Sequence, residues 1–121
     1  MSDETFRLRL RLVFGPGAML GPGKADLLAA IGRAGSISGA GRAMGMSYKR
    51  AWGLVEEMNA AFAEPLVARV RGGAGGGGAR LTPAGGRVLA LYRRIEAKAA
   101  AAGAAELAEL GAMLRDMSGG K

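Results

Sequence analysis

Residues Ser36 to Phe62 read SISGAGRAMGMSYKRAWGLVEEMNAAF, and this stretch decides the fold. Ser36 can cap a first helix ending near Met44, because its hydroxyl can accept a backbone N–H that the first turn leaves unpaired. Gly45 supplies the left-handed residue that stops that helix. Ser47 has the same capping chemistry for a second helix, whose apolar residues Ala51, Leu54, Val55, Met58 and Phe62 recur at three- and four-residue intervals. The pattern predicts a helix-turn-helix with its second helix placed to read DNA.

On the side opposite that apolar stripe lie Lys49, Gly53, Glu56 and Ala60, and Tyr48 and Trp52 fall together on its flank. Gly53 has no side chain, so the helix can approach another surface closely there. The cations Lys49 and Arg50 stand in the first turn, ahead of Glu56 and Glu57. A polyanion is therefore tolerated at the amino-terminal end and repelled from the middle, the docking polarity of a recognition helix in the major groove. Tyr48, beside Ser47 and Lys49, is expected to reach DNA, and Trp52 to sit at the edge of the core.

Upstream, Phe6 to Phe14 (FRLRLRLVF) alternates, with Phe6, Leu8, Leu10, Leu12 and Phe14 on one side and Arg7, Arg9 and Arg11 on the other. This predicts a half-buried strand over 6–14 whose arginines block unwanted edge pairing in preference to touching phosphate. Gly15 to Gly23 (GPGAMLGPG) is expected to be a loop. A helix from about Lys24 to Arg33 carries Leu27, Leu28 and Ile31 and completes a three-helix core over 24–62.

Downstream, Pro65 breaks the helical pattern and Leu66 to Arg71 (LVARVR) alternates, with Leu66 and Val70 inward if Val67 and Arg69 face out. Six of the seven residues from Gly72 to Gly78 are glycine, and Ala79 to Leu81 can return as a strand. The segment 66–82 predicts a β-hairpin wing flanked by Arg69, Arg71 and Arg80. Its glycine run has neither the Gly-Lys-Ser/Thr close of a Walker A loop nor the βαβ unit of a dinucleotide site, so no nucleotide cofactor is expected. Thr82-Pro83 starts a long helix over 83–117. Its apolar stripe (Val88, Leu91, Tyr92, Ile95, Ala99, Ala102, Leu107, Leu110, Leu114, Met117) slips near Gly103, where a bend is expected. The segment exceeds what the core needs and predicts a dimerisation helix.

Four blocks of this chain, Ser36-Ile37-Ser38, Gly45 to Trp52 (GMSYKRAW), Glu57-Met58-Asn59 and Gly72 to Thr82 (GGAGGGGARLT), closely resemble the DNA-binding domain of the ModE family of molybdate-responsive bacterial regulators. More distantly they resemble the winged helix of LysR-type regulators. The likeness covers about residues 24 to 95. It implies a regulator of molybdate-linked genes. The family pattern commonly has lysine where Ala74 stands, which removes one phosphate contact from the wing. ModE-type regulators sense molybdate in a separate carboxy-terminal portion, so this chain alone is expected to bind no molybdate, whether it is a naturally single-domain member or a shortened form.

The 121 residues suffice for one domain, expected to be α+β, mainly helical, with an N-terminal strand, a winged helix-turn-helix and the long C-terminal helix. Seventeen basic residues against ten acidic give +7, and the excess is +3 over residues 1–47, +5 over 48–95 and −1 over 96–121. It therefore follows the helix-turn-helix and wing, where a polyanion would bind. Cysteine and histidine are both absent, which removes disulfides, thiolate metal sites and the Ser-His-Asp triad. No metal, no cofactor and no enzymatic activity are expected, and neither a membrane span nor a leader is expected, which places the protein in the cytoplasm.

The combined expectation is a homodimer that binds double-stranded DNA. Ser47, Tyr48, Lys49 and Arg50 would enter the major groove, Arg69, Arg71 and Arg80 would set the wing on phosphates, and Ser36 and Ser38 would meet a further phosphate. A structural protein that coats DNA without sequence preference is the alternative that charge alone would permit.

Overall fold

Pro22 lacks the N–H that a first helical turn leaves unpaired, and it opens helix α1 (Pro22–Ala34) two residues before Lys24. In the computed structural model, which describes residues 7–71 and 77–115, α1 is the central element of the core. Its Leu27, Leu28 and Ile31 are fully buried. Gly35, with φ of 75°, ends it by donating its N–H to the Ile31 carbonyl at 2.9 Å.

Helices α2 (Ile37–Ala43) and α3 (Tyr48–Ala61) pack on α1 and on each other. Alanines let the two axes approach, and Ala40 and Ala51 are fully buried. The turn between them is tight: Gly45 has φ of 71°, and Met46 donates its N–H to the Gly41 carbonyl at 2.9 Å. Val55 and Met58 of α3 close the core beside Leu66.

The hairpin wing is β3 (Val67–Val70) antiparallel to β4 (Gly78–Leu81), with Val67 opposite Leu81 and Arg69 opposite Ala79. Its alternation agrees with the expected one at Leu66 and departs from it from Val67 onward. Leu66 is buried ahead of the strand, Val67 is also buried, and Val70 is 39% exposed. The reason is that Leu66 is pinned by its main chain and Val67 begins the inward row. That row continues at Arg69, which faces α3 in place of Val70. Residues 72 to 76, and with them Ala74, lie outside the described residues.

The N-terminal strand is present but shorter than the pattern. Strand β1 spans Leu12–Gly15 and pairs with β2 (Ala18–Leu20), inside the stretch expected to be loop. Gly15 (φ 144°) and Gly17 (φ 78°) bracket Pro16 and turn the chain at once. The register shifts between Val13 and Gly15, so Phe14 leaves the leucine row and is 56% exposed. Its ring meets Phe62 edge-on at 6.0 Å between centroids. Residues 7–11 keep the alternation, arginines exposed and leucines half-buried, without a strand partner among the described residues, and Phe6 lies outside them.

Helix α4 (Pro83–Ala102) runs back across α1. Thr82 caps it, its hydroxyl accepting from the Gly85 N–H at 2.9 Å. At Gly103 it gives way to α5 (Ala104–Met113), which has no buried residue, and Met117 lies outside the described residues.

Tyr92 is the largest fully buried side chain, and its hydroxyl donates to the Leu10 carbonyl at 2.6 Å, holding the N-terminal segment on α4. Burial raises the Tyr92 phenol above its ordinary value of 10.0, and the neighbouring Glu96 adds to the rise. A raised acid favours the protonated fold, so this stabilisation is whole below pH 10 and is lost as pH climbs through the higher folded value. Tyr92→Phe is expected to cost about 1 kcal/mol at neutral pH. It should also flatten the alkaline limb of a stability-against-pH curve measured by urea unfolding; an unchanged limb would assign that limb to other groups.

Candidate nucleic-acid interface

The amino-terminal turns of α2 and α3 and the inward face of the wing converge on one open cleft, lined by Ser38, Tyr48, Arg69, Arg71 and Gly78 among others. Ser36 lines it too, where its hydroxyl accepts from the Gly39 N–H at 2.9 Å as the cap of α2 and keeps its own O–H to donate. Ser47 likewise accepts from the Arg50 N–H at 3.1 Å and sets the start of α3. Ser38 is half-buried with its side chain free of any such bond among the described residues.

Lys49 and Arg50 are exposed at the start of α3, and they border a shallow second groove with Ser47, Gly53, Leu54 and Glu57. A Cβ added to Gly53 would meet nothing within 4 Å, so this face of the helix is open. Glu57 is the anion nearest the cations in that groove. Its carboxylate is 3.1 Å from the ammonium of Lys24, which is buried at 9% exposure and also donates to the Met19 carbonyl at 3.1 Å. The buried lysine therefore offsets a charge that would otherwise oppose a polyanion.

Arg69 is not a free surface arginine. Its Nη2 donates to the Tyr48 hydroxyl at 3.0 Å, and its Cζ stands 4.5 Å from the centroid of the Trp52 ring. Tyr48, 48% exposed, is thereby turned toward the wing. Trp52 packs against the core, as a core-edge residue should, and offers its other side to Arg69. Arg71 is exposed at the end of β3 and lines the same cleft. Arg80 is also exposed, but it stands opposite Ala68, on the alternate face of the hairpin from Arg69 and outside the cleft lining. Among the described residues the ion pairs are Lys24–Glu57, Arg93–Asp26 and Arg93–Glu96, so none neutralises the cations of α3 and the wing.

One positioning residue is given no role by the sequence reading. Asn59, beside the buried stripe of α3, accepts from the N–H groups of Leu66 (2.8 Å) and Val67 (3.2 Å) and donates to the Val67 carbonyl at 3.1 Å. It ties the wing to α3. Its place in the Glu57-Met58-Asn59 block of the resemblance is the hint in the sequence, but a polar residue near a helix end reads equally well as solvated surface.

Three packed helices, a helix-turn-helix turn and a hairpin flanking the second helix make this a winged helix-turn-helix domain of the DNA-binding class. The chain belongs to the family of bacterial regulatory helix-turn-helix proteins of the lysR type, whose family model matches residues 24–86. It is 54% identical over 81 residues to the molybdenum-pterin-binding protein MopB of Rhodobacter capsulatus, covering 67% of this chain and 30% of that one. To the molybdenum transport protein ModE of Azotobacter vinelandii it is 39% identical over 120 residues, 99% of this chain and 43% of the relative. The DNA-binding transcriptional dual regulator ModE of Escherichia coli (strain K12) is 46% identical over 71 residues, 59% of this chain and 27% of that protein. The chain thus spans less than half the length of these relatives.

Proposed function

We propose that these residues bind duplex DNA sequence-specifically, as a homodimeric transcriptional regulator of molybdate-related genes acting in the cytoplasm. The observation that carries the reading is the set of cations around the start of α3: Lys49 and Arg50 exposed at its first turn, and Arg69 and Arg71 of the wing in the cleft that Tyr48 lines. Ser47 to Arg50 enter the major groove, where Lys49 and Arg50 meet guanine edges or phosphates. Arg69, Arg71 and Ser38 hold backbone phosphate in the cleft, and Arg80 meets backbone from the outer face of the wing. The names of the relatives support the molybdenum link, and molybdate itself is not assigned to any residue here.

Selection from random duplex DNA tests this. A sequence-specific regulator keeps a ratio of about 10³ or more over random DNA at physiological salt. Equal binding of all sequences, with only a steep salt dependence, would favour a DNA-coating protein. Lys49→Ala is expected to relax discrimination at one base position by about 1–3 kcal/mol. Arg71→Ala should weaken all duplexes alike and reduce the salt slope by about one. If Lys49→Ala leaves discrimination intact, α3 is not the reading element.

The dimer is supported by an apolar stripe that the fold leaves uncovered: Leu91 (40% exposed), Ile95 (41%), Leu110 (58%) and Met113 (76%). Pairing of α4 and α5 with a second copy would place two α3 helices on half-sites about one helical turn, or a multiple, apart. Sedimentation at micromolar protein should give a dimer, and Ile95→Glu a monomer; a wild-type monomer would remove this interface.

A further inference from the structure

Trp52 is the chain's single tryptophan, and its position opposite Arg69 is unexplained by packing alone. An arginine on an exposed strand ordinarily samples many rotamers, and ordering it at a ligand opposes binding. Here the guanidinium is bracketed before any ligand arrives, by the Trp52 ring at 4.5 Å and the Tyr48 hydroxyl at 3.0 Å. Contact with a ring consumes no N–H donor, and Tyr48 takes one of about five. The remaining donors stay available at a cleft that also holds Ser38 and Arg71. Tyr48 and Trp52 lie one turn apart on α3, so the bracket also joins the recognition helix to the wing.

We propose that Trp52 is a positioning residue that presets Arg69, so that α3 and the wing grip one backbone phosphate of duplex DNA as a single unit. The inference rests on the DNA-binding reading above. Its two partners belong to that reading; Trp52 touches no nucleic acid itself and acts through the arginine.

The test uses the full chain, mixed-sequence duplex DNA, and the variants Trp52→Leu, Trp52→Phe, Arg69→Gln and the double variant Trp52→Leu/Arg69→Gln. Leucine keeps apolar packing without a ring face, and phenylalanine keeps a face. Trp52→Leu is expected to weaken binding about three- to tenfold and to lower the salt slope by about one, as loss of a phosphate contact does. Trp52→Phe should stay within about twofold of wild type. In the Arg69→Gln background, Trp52→Leu should add nothing. Independently of DNA, Arg69→Gln should change the Trp52 emission of the free protein, which is assignable because no other tryptophan contributes. An equal loss with and without Arg69, a Trp52→Phe protein as weak as Trp52→Leu, or emission indifferent to Arg69→Gln would each overturn the proposal. Should Trp52→Leu fail to fold, the emission arm and Trp52→Phe decide it. Failure of wild type to bind any duplex would instead sink the DNA-binding reading, leaving the emission result to judge the bracket.

Discussion

Gly85→Ala is expected to destabilise the protein by about 3 kcal/mol and to lower its melting temperature by roughly 10 °C or more. Gly85 is buried in the first turn of α4, where that helix lies directly on the main chain of Leu66. A Cβ built there would overlap the Leu66 carbonyl oxygen and stand 2.9 Å from its carbon and 3.2 Å from its Cα. Backbone cannot swing aside as a side chain can. Leu66 is held on every side, its N–H by Asn59 at 2.8 Å and its carbonyl by the Thr82 N–H at 2.9 Å. Thr82 in turn donates its hydroxyl to the Pro65 carbonyl at 2.7 Å. Relief must therefore come from lifting α4, which strips Tyr92 from the core.

The control is one residue away. A Cβ on Gly86 meets nothing within 4 Å, so Gly86→Ala should be neutral or stabilising by up to about 1 kcal/mol, through helix propensity. Thermal melts of the two single variants, monitored by circular dichroism, give the comparison. Equal melting temperatures would mean that α4 and Leu66 do not touch in solution as described.

Asn59→Ala is the second large effect, expected at about 2–4 kcal/mol in urea unfolding. One amide satisfies three main-chain groups of Leu66 and Val67, both of which are buried, so water cannot readily replace it. The variant should also bind DNA more weakly than its lost stability explains when it is assayed well below its melting temperature. Arg69 follows Val67 by two residues on the same strand, and a loosened strand no longer presents it to Tyr48 and Trp52. A loss below about 1 kcal/mol would show that the wing is anchored mainly by its pairing and by Thr82.

Both effects arise from contacts that no short pattern announces. Asn59 reads along the chain as one more polar residue near a helix end. Gly85 reads as one of a Gly-Gly pair in a first turn, with nothing to separate it from Gly86. Lys24 reads as a solvated helix-start cation, yet its ammonium is buried between Met19 and Glu57. The early hairpin was hidden for a different reason. Two Pro-Gly pairs mark a break, but Ala18 to Leu20 is too short to declare itself a strand until Leu12 to Gly15 lies beside it.

What the sequence by itself determined is what depends on neighbours within about one helical turn. Ser36, Ser47 and Thr82 each accept from the N–H three residues on, Gly45 takes the left-handed turn, and Leu27, Leu28, Ile31, Val55 and Met58 fall on inward faces. Those local rules suffice for the helix-turn-helix and its exposed Lys49 and Arg50. The tertiary structure alone decided which wing residues face inward, that Arg69 lies against Trp52 and Tyr48, and that Tyr92 reaches Leu10. Each of these joins groups far apart along the chain, and such contacts depend on how whole elements dock, which residue spacing within a single element does not encode.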